Sequence, residues 1–221
     1  MPENISLLVV VADLDAEEMM NSLLLRNKAL GIGSLGNAKV KRYASRDSGC
    51  YGQVEDFVEP SKAYVERLVV MFDRHGSGAE HLEAEAIENE VLERLNAREW
   101  QGRAEVVVFE PELEILIWSS SNHVASILGW DSTEQLKNWL RNPERVARDS
   151  HVIGKGERLW YDNEQKPRDP KDAYRQGIRQ KGVPYSASHF SELAKKVSLR
   201  GCEDRAFKKL VQVLKTWFPV Q

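Results

Sequence analysis

Cysteine is scarce in this 221-residue chain, and its two copies, Cys50 and Cys202, lie far apart in sequence. That spacing does not suit a zinc knuckle, and two reduced thiols in a reducing compartment are expected. Long apolar runs are missing as well. Nothing approaches the roughly 18–20 consecutive residues that cross a bilayer, so a membrane partner is not expected. Glu3 and Asn4 precede the first apolar run, against the basic-then-apolar order of a secretory leader, which makes the cytoplasm the expected location. There is no Gly-Lys-Ser/Thr phosphate loop and no Gly-x-Ser-x-Gly nucleophile elbow. Residues 31–36 (GIGSLG) match the dinucleotide-binding pattern letter for letter. They follow a helix and precede a strand, the reverse of the order that seats a pyrophosphate on a helix N-terminus.

Hydrophobic residues make up 42% of the chain, enough for a core, and charged residues 29%, enough for a solvated surface. The net charge of −3 conceals a division: residues 1–154 hold 16 Lys/Arg against 26 Asp/Glu, whereas residues 155–221 hold 15 against 8. Carboxylates for a metal and a basic rim for phosphates would need both signs. Two solvated faces of a helical protein would look the same.

Residues 5–12 (ISLLVVVA) form a continuous β-branched run, the pattern of a strand covered on both faces. Asp15 with Glu18 three residues later reads as a capping-box variant, and Met19, Met20, Leu23 and Leu24 as the apolar stripe of a helix ending before Gly31. Residues 39–43 (KVKRY) alternate as a second strand, 46–52 read as a loop, and 57–66 as a helix with Pro60 near its first turn. Residues 67–72 and 104–109 are further buried strands, separated by an amphipathic helix over 79–96. Residues 110–118 read as another helix, with Pro111 at its first position.

Strands alternating with helices predict an α/β fold built on a mainly parallel sheet of about four strands flanked by helices. The expected division is an α/β domain over residues 1–142 and a polar loop or lid over 143–170. A helical C-terminal region over 171–221 would pack on the first domain, with helices beginning at 170, 187 and 204.

In open α/β sheets, ligands bind at the carboxyl ends of the strands. Three predicted strands run into acids there: Asp13 and Asp15, Asp73, and the cluster Glu110, Glu112 and Glu114. Such carboxylates suit Mg²⁺ or Mn²⁺, hard cations that act on phosphate substrates. Taken singly, each acid is as readily a helix cap. The turn Gly76, Ser77, Gly78 offers backbone amides to a phosphate, or simply permits a tight bend. His75, two residues past Asp73, is a candidate for proton transfer.

Several motifs occur in a characteristic order: ADLD at 12–15, FDRHGSG at 72–78, FEPELE at 109–114, IWS at 117–119, LGW at 128–130, KPRDPK at 166–171 and VSLRGC at 197–202. With the closing stretch from Ala206 and Phe207 to Trp217–Pro219, they cover nearly the whole chain. On these the sequence resembles a small bacterial group of proteins labelled as components of methylation-associated anti-phage defence systems. More distantly it resembles Toprim-like proteins related to the nuclease domains of overcoming-lysogenization-defect proteins. Those domains hold Mg²⁺ with a Glu after the first strand and an Asp-x-Asp after a later one. Here Asp13 or Asp15 takes the first position, and Asp73 the second, with His75 in place of the second Asp.

The resemblance implies a Toprim-like component of a defence system that cleaves nucleic-acid phosphodiesters with Mg²⁺ or Mn²⁺. Asp13, Asp15, Asp73, Glu112 and Glu114 would be the metal ligands, and Asp73, His75 and Glu114 the catalytic groups. Gly76, Ser77, Gly78, Lys166, Arg168 and Lys171 would hold phosphate or nucleic acid. Expected partners are other defence-system proteins and DNA. The alternative is a non-catalytic protein-interaction subunit of a multi-protein defence complex, which the substitution at His75 favours.

Overall fold

In the computed structural model, which describes residues 3–118, 122–148, 150, 152–196, 199 and 202–220, a four-stranded, all-parallel sheet is flanked by helices. Ser119, His151 and most of the 197–202 motif lie outside the described residues. In chain order the elements are β1 (Ile5–Val11), α1 (Leu14–Leu23), α2 (Asn27–Leu30), β2 (Ala38–Arg42), α3 (Arg46–Val58), β3 (Val65–Asp73), α4 (Ala84–Leu95) and β4 (Ala104–Phe109). After them come α5 (Asn122–Ile127), α6 (Thr133–Arg141), α7 (Pro170–Gln180), α8 (Ser188–Lys196) and α9 (Arg205–Trp217).

The strand order is β2-β1-β3-β4. Because side chains alternate across a strand, Leu7, Val9 and Val11 of β1 enter one core and Leu8 and Val10 the other. The first core is closed by α1 and the C-terminal helices; the second is closed by α3 and α4. Burial on both faces is the reason β1 reads as an unbroken apolar run.

Four expectations need correction. Residues 46–52 are the start of α3, not a loop: the helix is kinked at Gln53 (φ −149°), and Cys50 before the kink and Val54 and Val58 after it are all buried, a pattern masked by the Ser and Gly residues around it. That helix ends where one was expected to begin. Pro60 has no N–H with which to continue α3, and it sits in a 3₁₀ turn over Glu59–Ser61. The cap of α1 is Asp13, whose carboxylate accepts the Ala16 amide at 2.9 Å, so Asp15 lies inside the helix. Pro111 follows a cis bond and opens no helix; the next element is a 3₁₀ turn over Leu113–Leu116. No disulfide joins Cys50 and Cys202. Among the described residues, no helix is long and apolar enough to cross a membrane.

The outer edge of β4 is sealed by Glu88 of α4. Its carboxylate accepts the Val108 amide at 2.8 Å, both Arg205 Nη atoms at 3.0 Å and Lys209 Nζ at 2.9 Å, while Arg205 Nη2 also donates to the Val108 carbonyl. Glu88→Gln removes a charge buried to 3% exposure, but Arg205 and Lys209 keep partial access to water. The expected loss is about 2 kcal/mol, read from the urea midpoint.

Candidate functional site

The connections place a crevice. From β1 the chain passes through α1 on one face to β2, then returns through α3 on the opposite face to β3, beyond β1. The order therefore reverses between β1 and β3, and the carboxyl ends of these two strands flank the switch point where ligands bind in open sheets. Asp13 follows β1 and Asp73 closes β3.

Asp13, Asp47 and Asp73 line one small cavity there, floored by Met71, Phe109 and Leu113. Each carboxylate is aimed by a backbone amide: Ala16 N–H to Asp13, Asp73 N–H to Asp47 at 2.9 Å, and Leu113 N–H to Asp73 at 2.8 Å. Burial raises the Asp73 carboxyl well above the usual range, and the neighbouring Asp47, Glu114 and Asp13 raise it further. Asp47 is raised by burial as well, and by Asp13, against the pull of the Asp73 amide.

A second tier of acids adjoins the first. The 3₁₀ turn after β4 carries Glu112 and Glu114, buried at 5% and 2% exposure. Lys171, in the first turn of α7, sets its ammonium 3.2 Å from Glu112 Oε1 and 3.5 Å from Glu114 Oε1. Burial lifts Glu114 to about 7 even though Lys171 pulls it down. Burial alone would lower the Lys171 pKa, but Glu114, Glu112 and Asp73 outweigh it and push the pKa up. Asp15, raised chiefly by burial, accepts the Tyr185 hydroxyl.

Beside these acids opens a cleft of about 810 Å³. Asp13, Asp15 and Lys171 line it together with Arg42, Arg46, Arg175, Tyr43 and Tyr185. Arg46 takes a left-handed backbone, φ +55°, at the head of α3. That conformation is costly for a residue with a Cβ and is found where surrounding structure enforces it. Gly49 permits the tight turn below: a Cβ there would lie 2.3 Å from Ser45 Cβ and 2.9 Å from the Tyr43 ring.

Other expected site residues do not line the crevice, although Gly76 packs beside Asp47, whose Oδ2 a Cβ there would meet at 3.6 Å. The amides of Gly76 and Gly78, at 2.8 and 3.2 Å, donate to Glu80 Oε1, so the chain's own carboxylate fills the anion seat of that turn. Ser77 folds back onto the Arg74 carbonyl. His75 is close enough to Glu80 to help lower the pKa of that carboxyl, and it does not line the carboxylate cavity. Arg168 pairs with Glu157 at 2.8 Å and lies on the Tyr161 ring; neither it nor Lys166 lines the cleft. Lys171 does, but as the counter-ion of Glu112 and Glu114.

The structure adds Arg46, Asp47, Arg175 and Tyr185 to the site. The signal for Asp47 was its place just after β2, since the rule that ligands gather at strand C-termini covers all four strands. Among the described residues, no group of three or more His, Cys, Asp or Glu side chains is arranged to hold a metal ion. Comparison with protein-family models, with curated proteins and with solved structures returns no match.

Proposed function

We propose that the chain is a Toprim-like component of a bacterial anti-phage defence system whose acidic crevice binds Mg²⁺ and acts on nucleic-acid phosphodiesters. The observation that carries this reading is the convergence of Asp13, Asp47 and Asp73 on one cavity at the switch point, beside a cleft edged with arginines. The donor set fits the cation: all three side chains offer hard oxygens, and each is already aimed by an amide. Mg²⁺ at phosphate sites is commonly held by one or two carboxylates, with water and substrate oxygens filling the other positions. A pair such as Asp47 and Asp73 would therefore suffice, and no closed cage is needed.

When bound, such a cation polarises a phosphoryl oxygen and makes water a better nucleophile. The remaining tasks fall to the chain. Asp47 and Asp73 would hold the cation, and Asp13 lines the same cavity. Glu114, with a pKa of about 7, can hold or yield a proton near neutrality. Lys171 keeps the second tier of acids from repelling an anionic substrate.

Calorimetric titration of the protein with Mg²⁺ and Mn²⁺, alongside Asp47→Asn and Asp73→Asn, tests the reading. Binding to the wild type that weakens at least about tenfold in both variants supports it. Absence of binding in the wild type overturns it.

One observation favours a second reading, that of a non-catalytic interaction subunit. Lys171 already neutralises Glu112 and Glu114, as it would in a purely structural cluster. On this reading a chain altered at Asp13, Asp73 and Glu114 together still assembles with its defence partners and still protects cells.

A further inference from the structure

We infer that the cleft beside the acids receives a single nucleic-acid strand, not a duplex, with phosphates against Arg46 and Arg175 and a base against Tyr185. The inference rests on the phosphodiester reading and adds the form of the substrate. Three features of the cleft lead to it.

The first is depth. Of the acids, Asp13 lines both the cleft and the small carboxylate cavity, whereas Asp73 and Glu114 do not line the cleft and are only 7% and 2% exposed, so a phosphate must be carried inward to reach them. A duplex presents its phosphates on a stiff, convex surface, and bending it inward costs energy. A single strand can be threaded. The second is the pairing of roles along the chain at the head of α3. Asp47 turns inward to the Asp73 amide while its neighbour Arg46 stays exposed in the cleft, an arrangement obtained through the left-handed backbone at Arg46. Arg175, one turn beyond Lys171 on α7, faces the same space.

The third is a braced aromatic ring. Tyr185 is 45% exposed and lines the cleft. Its hydroxyl is held by Asp15, and its ring meets Tyr174 edge-on, with centroids 5.5 Å apart. Tyr43, stacked on Phe57 with centroids 4.3 Å apart, lines the cleft as well. Fixed aromatic surfaces among arginines are how proteins bind unpaired bases without reading sequence.

The test is fluorescence anisotropy in EDTA, using a short labelled single strand and the same strand annealed to its complement. Omitting metal separates this inference from the metal reading. The wild type should bind the single strand at least about tenfold more tightly than the duplex. In the Arg46→Ala/Arg175→Ala double variant, the slope of log affinity against log salt should flatten by about 1.4, since each lost single-strand phosphate contact removes about 0.7. Tyr185→Leu should weaken strand binding about tenfold, and Tyr185→Phe, which keeps the ring, should not.

Equal affinity for the duplex, an unchanged salt slope, or a Tyr185→Leu protein that binds like the wild type would each overturn the inference. So would no strand binding at all. In that last case, Mg²⁺ calorimetry on the same preparation shows whether the metal reading survives alone.

Discussion

Lys171→Met is expected to lower the unfolding free energy by about 3–5 kcal/mol near pH 8, and by much less near pH 5. The cause is the burial of its partners. Glu112 and Glu114 are nearly inaccessible, and the Lys171 ammonium lies within hydrogen-bonding or ion-pairing distance of both. Removing one member of a buried ion cluster leaves the others charged in a medium that solvates them poorly, which costs far more than the cluster contributes in net terms. Methionine approximates the length of the lysine stem, so lost packing accounts for little of the effect. Lowering the pH lets Glu114, already raised to about 7, take up a proton, which removes much of the penalty. Adding Glu112→Gln and Glu114→Gln to the variant should recover most of the loss at pH 8. Urea denaturation at the two pH values reads all three proteins. A Lys171→Met protein as stable at pH 8 as at pH 5 would show that the ammonium is not what the buried acids depend on.

The wild type should show a weaker form of the same dependence. Glu114 is raised from the ordinary glutamate value of 4.5 to about 7. An acid with a raised pKa in the folded state holds its proton more tightly there than in the unfolded chain. Its contribution is therefore fully present below about pH 4.5 and lost as pH rises through about 7, a change of about 3 kcal/mol for this group. The burial-raised Asp73 acts in the same direction.

Much of this architecture was legible because local and tertiary signals agreed. The strands β1, β3 and β4 each hold an unbroken apolar stretch, residues 7–11, 68–72 and 106–109, as double burial requires, and α9 shows its stripe of Phe207, Leu210 and Leu214 plainly. The strand order could not be read in this way, since nothing local in residues 38–42 says that β2 pairs beside β1 and leaves β3 to the other side. That reversal is what locates the crevice. Asp47 was hidden in a stretch whose Ser and Gly residues imitate a loop, and the kink at Gln53 separates the buried Cys50 from Val54 and Val58. The ion pair of Lys171 with Glu112 spans 59 positions, and Tyr185 meets Asp15 across 170. Sequence spacing holds no record of such contacts. The Gly76–Gly78 turn misled for the opposite reason: its glycines have the torsions of an anion-binding loop, but the competing ligand, Glu80, stands two residues further along.

Mg²⁺ binding should weaken as the pH falls, compared at pH 8 and pH 6, and it should release protons, because the ligands must ionise to coordinate. Burial and the charges of Asp47 and Glu114 hold the Asp73 carboxyl well above its usual range, and burial raises Asp47 too. In the cation-free protein these groups thus retain protons at pH values where ordinary aspartates have lost them. A bound cation would relieve the mutual repulsion and expel those protons, so metal and proton would compete for the same oxygens. The sign follows: lowering pH favours the protonated, metal-free state, and raising it favours binding. Calorimetry in two buffers of different ionisation enthalpy counts the protons released. Asp73→Asn should abolish most of that release along with the binding. The same competition predicts that Mg²⁺ raises the thermal midpoint more near pH 8 than near pH 6, because only the ionised site gains from the cation. Binding that is indifferent to pH over this range, with no protons released, would place the cation away from the buried aspartates.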